Sequence, residues 1–338
     1  MKKIMNINKS TENRRSFLSK AAGLSCLFLL CWVVSGHGLK IPASLYYSFE
    51  KGTREVMNVY VKIEGRDNFY ARFRIQHEII DAQNRNLWRI VDSYFARLEQ
   101  GQMVDEQRIL TNGENEFVWY SAREGVTDAT GGYHGNERID IAPGCGIQFF
   151  VDGLPIDHSQ AIPLTRCLTF HYEQHATMHQ TGVGALNGQP GYQPVPGLPV
   201  ECKHFKKTTF SNGGYTTVNR LEWGANNARV KNCIYALFCV DNRLTTHAQN
   251  ESGQSVALVM DGGNKIASTG KHIVYANVET GLKIECRGVK VVLPEHTLNT
   301  YIWDNQNYHK FYSIASFGTA LPVEGDILET ESSISFSY

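Results

Sequence analysis

The sequence is poor in charge and has no excess of either sign. Lys plus Arg number 33 and Asp plus Glu number 33, and charged residues make up only 20% of the 338-residue chain. That balance lacks the footprint of nucleic-acid or anionic-membrane capture, which is a concentration of Lys and Arg. A neutral total is silent on local patches, so a charged polymer remains an acceptable partner. No pair of cysteines has CxxC spacing, which argues against a zinc ribbon. No Gly-x-Ser-x-Gly is present, so a serine nucleophile on a strand-to-helix elbow has no support. No strong helical pattern stands before residue 130. Aromatic residues, in contrast, reach 11%, with 16 Tyr and 5 Trp, a composition suited to an extracellular β protein with aromatic contact surfaces.

The N-terminus carries the most specific pattern. Asn13-Arg14-Arg15-Ser16-Phe17-Leu18-Ser19-Lys20 precedes an apolar run from Ala21 to Val34, and polar Ser35-Gly36-His37-Gly38 follows. This resembles a bacterial twin-arginine export signal. The run falls short of the about 20 residues that span a bilayer. Residues 1–38 are therefore expected to be an export signal and 39–338 one large β domain, periplasmic or extracellular. No Ala-x-Ala stands at the cleavage position, and an uncleaved segment would be the chain's one link to a membrane. Beyond the signal stand Cys145, Cys167, Cys202, Cys233, Cys239 and Cys286. An even number in an exported protein permits disulfides, and isolated buried thiols are the alternative.

From Ile41 onward the pattern is alternation. Met57, Val59, Val61 and Ile63 alternate with polar residues, as do Phe69, Ala71, Phe73 and Ile75. Further strands are expected at Trp88 to Leu98, Glu116 to Arg123, Ile147 to Asp152, Tyr215 to Trp223, Asn232 to Val240, Ser255 to Met260, His272 to Glu279, Leu282 to Cys286, Lys290 to Leu293, Tyr301 to Trp303, Lys310 to Ala315 and Ser333 to Phe336. Leu98 to Gln107 reads as a short helical turn. Turns are signalled at Asn112-Gly113, Asp152-Gly153, Asn212-Gly213, Asp261-Gly262 and Thr280-Gly281. Gly and Pro between 181 and 199 mark a loop or an internal boundary. So many short strands predict an all-β fold, a large β-sandwich or jelly roll of two packed antiparallel sheets.

Thr165 to Gln180 reads as one long strand with Thr165, Cys167, Thr169, His171, Glu173, His175, Thr177 and His179 on a single face. Other polar faces are Tyr70, Arg72, Arg74 and Gln76, the glycine-rich loop with Tyr133, His134, Asn136 and Glu137, and the late segment with Trp303, Tyr308, His309, Lys310 and Tyr312. Tyr, His, Arg, Asn and Gln together suit β-elimination on a uronic-acid polysaccharide: a base takes the C5 proton while Arg or Asn neutralises the neighbouring carboxylate.

With its export signal, β pattern and these clusters, the chain loosely resembles the exported jelly-roll polysaccharide lyases of bacteria. The resemblance implies an anionic-polysaccharide substrate. The Arg-x-Glu-x-Arg, Gln-Ile-His and Tyr-Lys-x-Gly signatures of the alginate-lyase group are absent, and Ile75-Gln76-His77 has the wrong order, so no residue role is carried over. The residues themselves put His134 or His171 as base, Tyr308 as acid and Arg72 on the carboxylate. Substrate binding falls to Arg74, Gln76, Tyr133, Asn136, Glu137, Glu173, His175, His309 and Lys310. No cofactor is required, although a structural or charge-neutralising divalent cation such as calcium is compatible.

Two other classes stand beside this reading. A lectin-like or surface-assembly protein uses the same sandwiches. A metal hydrolase could draw on the histidines, but residues four apart on a strand lie about 13 Å from each other, too far to share one ion.

Overall fold

The computed structural model describes residues 45–81, 85–111, 115, 137–179, 200–211, 213–225, 232–268, 272–292, 297–304, 306–316 and 322–338. The regular elements among them are all strands, so the fold is all-β, as the alternation predicts. In chain order they are β1 (Leu45–Lys51), β2 (Glu55–Lys62), β3 (Phe69–Ile80), β4 (Arg85–Glu99), β5 (Gln102–Leu110), β6 (Glu137–Arg138), β7 (Gly146–Val151), β8 (Leu154–Pro155), β9 (Ile162–Cys167), β10 (Phe170–His179), β11 (Val200–Ser211) and β12 (Gly214–Trp223). There follow β13 (Asn232–Asp241), β14 (His247–Asn250), β15 (Ser255–Ala257), β16 (Asn264–Ser268), β17 (His272–Ala276), β18 (Lys283–Val292), β19 (Thr297–Asp304), β20 (Tyr308–Ser316) and β21 (Ile327–Ser337).

Pairing arranges these strands in two antiparallel rows. The first runs β9-β1-β2-β3-β4-β5-β13-β20-β19-β16. The second runs β8-β7-β10-β11-β12-β21-β18-β17-β14-β15. The short β6 stitches them, pairing with β10 and, parallel, with β4 at Asn86 and Arg138.

Aromatic side chains fill the space between the rows. Phe73 of β3 meets Phe210 of β11 at 5.5 Å between ring centroids, Tyr215 of β12 at 5.1 Å and Phe336 of β21 at 5.9 Å. Fully burying one such ring contributes about 1.5–3 kcal/mol. Polar links cross the core as well. The Trp88 N–H donates to Gln174 Oε1 at 2.7 Å, and Lys206 Nζ donates to the Trp88 carbonyl at 2.9 Å.

Several expectations change. Leu98 to Gln107 is no helical turn: Gln100 and Gly101 take φ of 48° and 81°, reverse the chain, and Gln102 begins β5. Thr165 to Gln180 is two strands in different sheets, β9 beside β1 and β10 beside β7 and β11. The chain crosses over at Leu168 and Thr169, whose N–H groups both donate to Asp152 Oδ1 at 2.8 Å. Leu282 to Cys286 and Lys290 to Leu293 are one strand, β18, bulged between Gly288 and Lys290. The disulfides an even cysteine count allows do not involve Cys145, Cys167 or Cys286, which are free thiols. Burial pushes the Cys167 thiol up to about 12. The stretches expected as an export signal (1–38) and as a loop or boundary (181–199), together with Asn112-Gly113 and Glu116 to Arg123, lie outside the described residues.

Candidate functional site

Because Phe73 points into the core, alternation turns Arg72 and Arg74 to the outer face of the first sheet. Register then builds a row across six strands. Arg166 of β9 pairs with Tyr46 of β1, Tyr46 with Tyr60 of β2, Tyr60 with Arg72 of β3, Arg72 with Tyr94 of β4, and Tyr94 with Arg108 of β5. Neighbouring strands lie about 4.8 Å apart, so the row is about 24 Å long. It is sunk in the middle, where Tyr60 is only 6% exposed, and open at the exposed Arg166 end.

The central residues hold one another in place. Arg72 Nε donates to Asn58 Oδ1 at 3.0 Å, its Nη1 pairs with Asp105, and the guanidinium lies 5.8 Å from the Tyr94 ring centroid. Asn58 in turn donates to Glu50 at 2.7 Å. Arg74 pairs with Asp92 at 2.7 Å. Tyr46 meets Tyr70 edge-on at 5.6 Å.

Burial sets the protonation of this face. It pushes the Tyr60 phenol above its ordinary range despite the nearby Arg72. Tyr70 is raised by burial and by Tyr46. The Asp92 carboxyl is raised by burial in spite of Arg74 and Arg72. The result is neutral phenols beside guanidinium groups, with one carboxyl that holds its proton more tightly than usual.

The other expected residues divide between places. His171, Glu173 and His175 do share a face, but it is the outer face of the second sheet, because Phe170 and Tyr172 point into the core against Phe149 and Phe210. The sandwich separates them from Arg72, so His171 and Arg72 cannot act on one sugar. His171 stacks on Phe150 with centroids 4.5 Å apart, and Glu173 pairs with Lys207 at 2.9 Å. Burial and Lys207 pull the His171 pKa below its ordinary value, against Glu173. His175 packs on Phe205 at 4.8 Å, beside a cavity of about 430 Å³ also lined by Cys145 and Lys203.

Glu137 is interior, its Oε1 2.7 Å from His204 Nδ1, while His204 Nε2 meets Asn219 Oδ1 at 3.0 Å. His309 is interior too, 2.7 Å from Asp304. Gln76, buried, borders a separate cavity with His77, whose ring nitrogens are held by Glu55 at 2.9 Å and Asn86 at 2.8 Å. Tyr308 and Lys310 share the outer face of the first sheet with Arg72, but four strand spacings away, about 19 Å. Tyr133, His134 and Asn136 lie outside the described residues. Among the described residues no three His, Cys, Asp or Glu side chains converge as a metal site.

Sequence reasoning missed Tyr46, Tyr60, Tyr94, Asp92, Arg108 and Arg166. Tyr60, Asp92, Tyr94 and Arg166 fall on strands that alternation predicts, whereas Tyr46 precedes the first of them and Arg108 follows the stretch expected as a helical turn. Only the register puts them in line.

No protein-family profile and no curated protein matches the chain. Among solved structures, heparan sulfate lyase HepC from Pedobacter heparinus aligns at 10% identity, with a TM-score of 0.31, over 82% of this chain and 36% of the lyase. The Slr1438 protein from Synechocystis sp. PCC 6803 aligns at 13% identity, with a TM-score of 0.33, over 86% of this chain and 95% of its own. Neither likeness bears on activity.

Proposed function

We propose that the outer face of the first sheet binds an anionic, uronate-containing polysaccharide along the Tyr–Arg row and cleaves it by β-elimination. The observation that carries this reading is the line of three guanidinium and three phenol groups, in the order Arg-Tyr-Tyr-Arg-Tyr-Arg, across six paired strands. A polyuronide offers the complementary pattern, a carboxylate and an apolar ring face on each sugar. Arginine takes carboxylates in fixed geometry, and tyrosine supplies a flat face with a polar tip.

In the reaction Arg72 neutralises the carboxylate attached to C5. Asp92 accepts the C5 proton, a task for which a raised carboxyl is a stronger base than an ordinary one. The electron pair closes a C4=C5 double bond as the C4–O bond breaks, and the Tyr60 phenol protonates the departing oxygen. These assignments replace His171, which stands on the opposite face, and Tyr308, which stands four strands away.

Binding without cleavage is the second reading. It is favoured by the raised phenols, which donate hydrogen bonds but give up a proton less readily than an ordinary tyrosine, which weakens Tyr60 as the acid. Incubation with a panel of uronic-acid polymers, followed by ultraviolet absorbance of the unsaturated product, separates the two. Product that disappears in Asp92→Asn and Tyr60→Phe, with binding retained, supports the lyase. Tight binding with no product from any polymer leaves the binding protein, and no binding to any member of the panel sinks both.

A further inference from the structure

The Tyr–Arg row does not end at a sheet edge. Beyond Arg108 the first sheet continues into β13, where Thr111 N–H donates to the Cys239 carbonyl at 2.9 Å and Leu110 pairs with Val240. Arg108 Nε donates to Asp241 Oδ2 at 3.2 Å, and Arg243 holds the same carboxylate at 2.7 Å. Two guanidinium groups on one carboxylate leave a net positive charge at the junction. Both arginines reach solvent, with side chains 41% and 65% exposed. Across β13 from Asp241 stands Tyr308, and the same outward face of β20 and β19 carries Lys310, Tyr312, Tyr301 and Trp303.

This group is built as a unit. The Lys310 ammonium lies 5.2 Å from the Tyr312 ring centroid, 5.7 Å from Tyr308 and 6.0 Å from Trp303. Tyr301 stacks on Tyr312 at 4.8 Å. The Trp303 indole is fixed by Nε1 donating to the Gly262 carbonyl at 2.8 Å. Lys310 is only 4% exposed, so its charge acts through the half-buried rings around it. Aromatic faces over a fixed cation suit a sugar that carries a negative group.

We propose that Trp303, Tyr308, Tyr312 and Lys310 form a second subsite for the same anionic polysaccharide, reached across Arg108 and Arg243. The inference rests on the binding reading of the Tyr–Arg row. It commits the face to one long, continuous polyanion rather than to a short oligosaccharide. A chain engaging both places must bridge the about 19 Å between Arg72 and Lys310, and the positive junction lies beneath its middle.

The test uses one uronate polymer at two lengths, a short oligomer that covers the Tyr–Arg row alone and a long chain, with affinities from calorimetry. Lys310→Met and Trp303→Phe, each with an unchanged melting temperature, are expected to weaken the long chain by about tenfold, equivalent to 1.4 kcal/mol, and to leave the short oligomer as in the native protein. Arg72→Ala weakens both lengths. Native affinity for the long chain in both the Lys310 and Trp303 variants overturns the second subsite while the Arg72 result keeps the first reading. Equal loss at the two lengths also overturns it, since the effect then lies in the first site. If the native protein binds neither length, the first reading falls together with this one.

Discussion

Lys206 of β11 donates its ammonium to the carbonyl of Trp88 in β4, so a side chain of one sheet completes the backbone of the other at 2.9 Å. Trp88 needs this partner because its N–H and carbonyl are not both used within its own sheet: the N–H goes to Gln174. Lys206→Met keeps the length of the side chain and removes the donor. The variant is expected to lose about 1–3 kcal/mol of stability, the usual cost of a buried group left unsatisfied, read as a lower urea midpoint at unchanged slope.

Acid should unfold the protein in part through Glu137. Burial alone would raise its carboxyl, but His204, Lys206 and Arg85 outweigh burial and hold it below the ordinary value. A carboxylate depressed in the folded state contributes stability that is fully present above the unfolded value, about 4.3, and is lost as pH falls through the folded one. Glu137→Gln is expected to be less stable at neutral pH and to show a shallower loss on acidification. Chemical denaturation at a series of pH values checks both.

His171 stands on the face opposite the Tyr–Arg row and is held toward its neutral form. His171→Ala is therefore expected to leave polysaccharide binding and any product formation unchanged. By NMR, the His171 resonance should titrate below the ordinary histidine value of about 6.5. An activity loss in this variant with the fold intact would place the reaction on the second sheet instead.

Gly214 opens β12 where β21 passes closest. A β-carbon there would collide with the backbone of Ile334 and Ser335. Neighbouring Gly213, with φ of 73°, is tightly packed too, since a β-carbon there would stand 2.6 Å from the Phe336 carbonyl oxygen. Gly214→Ala is expected to lower the melting temperature by several degrees, whereas alanine at Gly253, which meets no atom within 4 Å, costs only the left-handed backbone strain.

The strands that read clearly in the sequence are those with one apolar and one polar face, such as β3 and β12. Strand β11 was illegible because its inward positions include His204 and Lys206, polar residues that only the interior partners Glu137 and Trp88 make acceptable. The break at Leu168 was hidden for a different reason. Residue alternation runs nearly unbroken through it, and what turns the chain is the distant Asp152 carboxylate. For the site, Arg72 and Arg74 were found from alternation, but Tyr46, Tyr60 and Tyr94 come from separate strands. Their alignment is a property of cross-strand register, which a single sequence does not display.

Both sheets cross from the strands before residue 225 to those after 231, at β5 with β13 in the first and at β12 with β21 in the second. The second seam is long, running in register from Gly214 opposite Ser335 to Glu222 opposite Ile327. A protease that nicks the backbone between Trp223 and Asn232 would therefore yield two polypeptides that stay laced together. Expressed separately, each would present an open strand edge that the other is shaped to close, which makes this chain a natural candidate for fragment complementation.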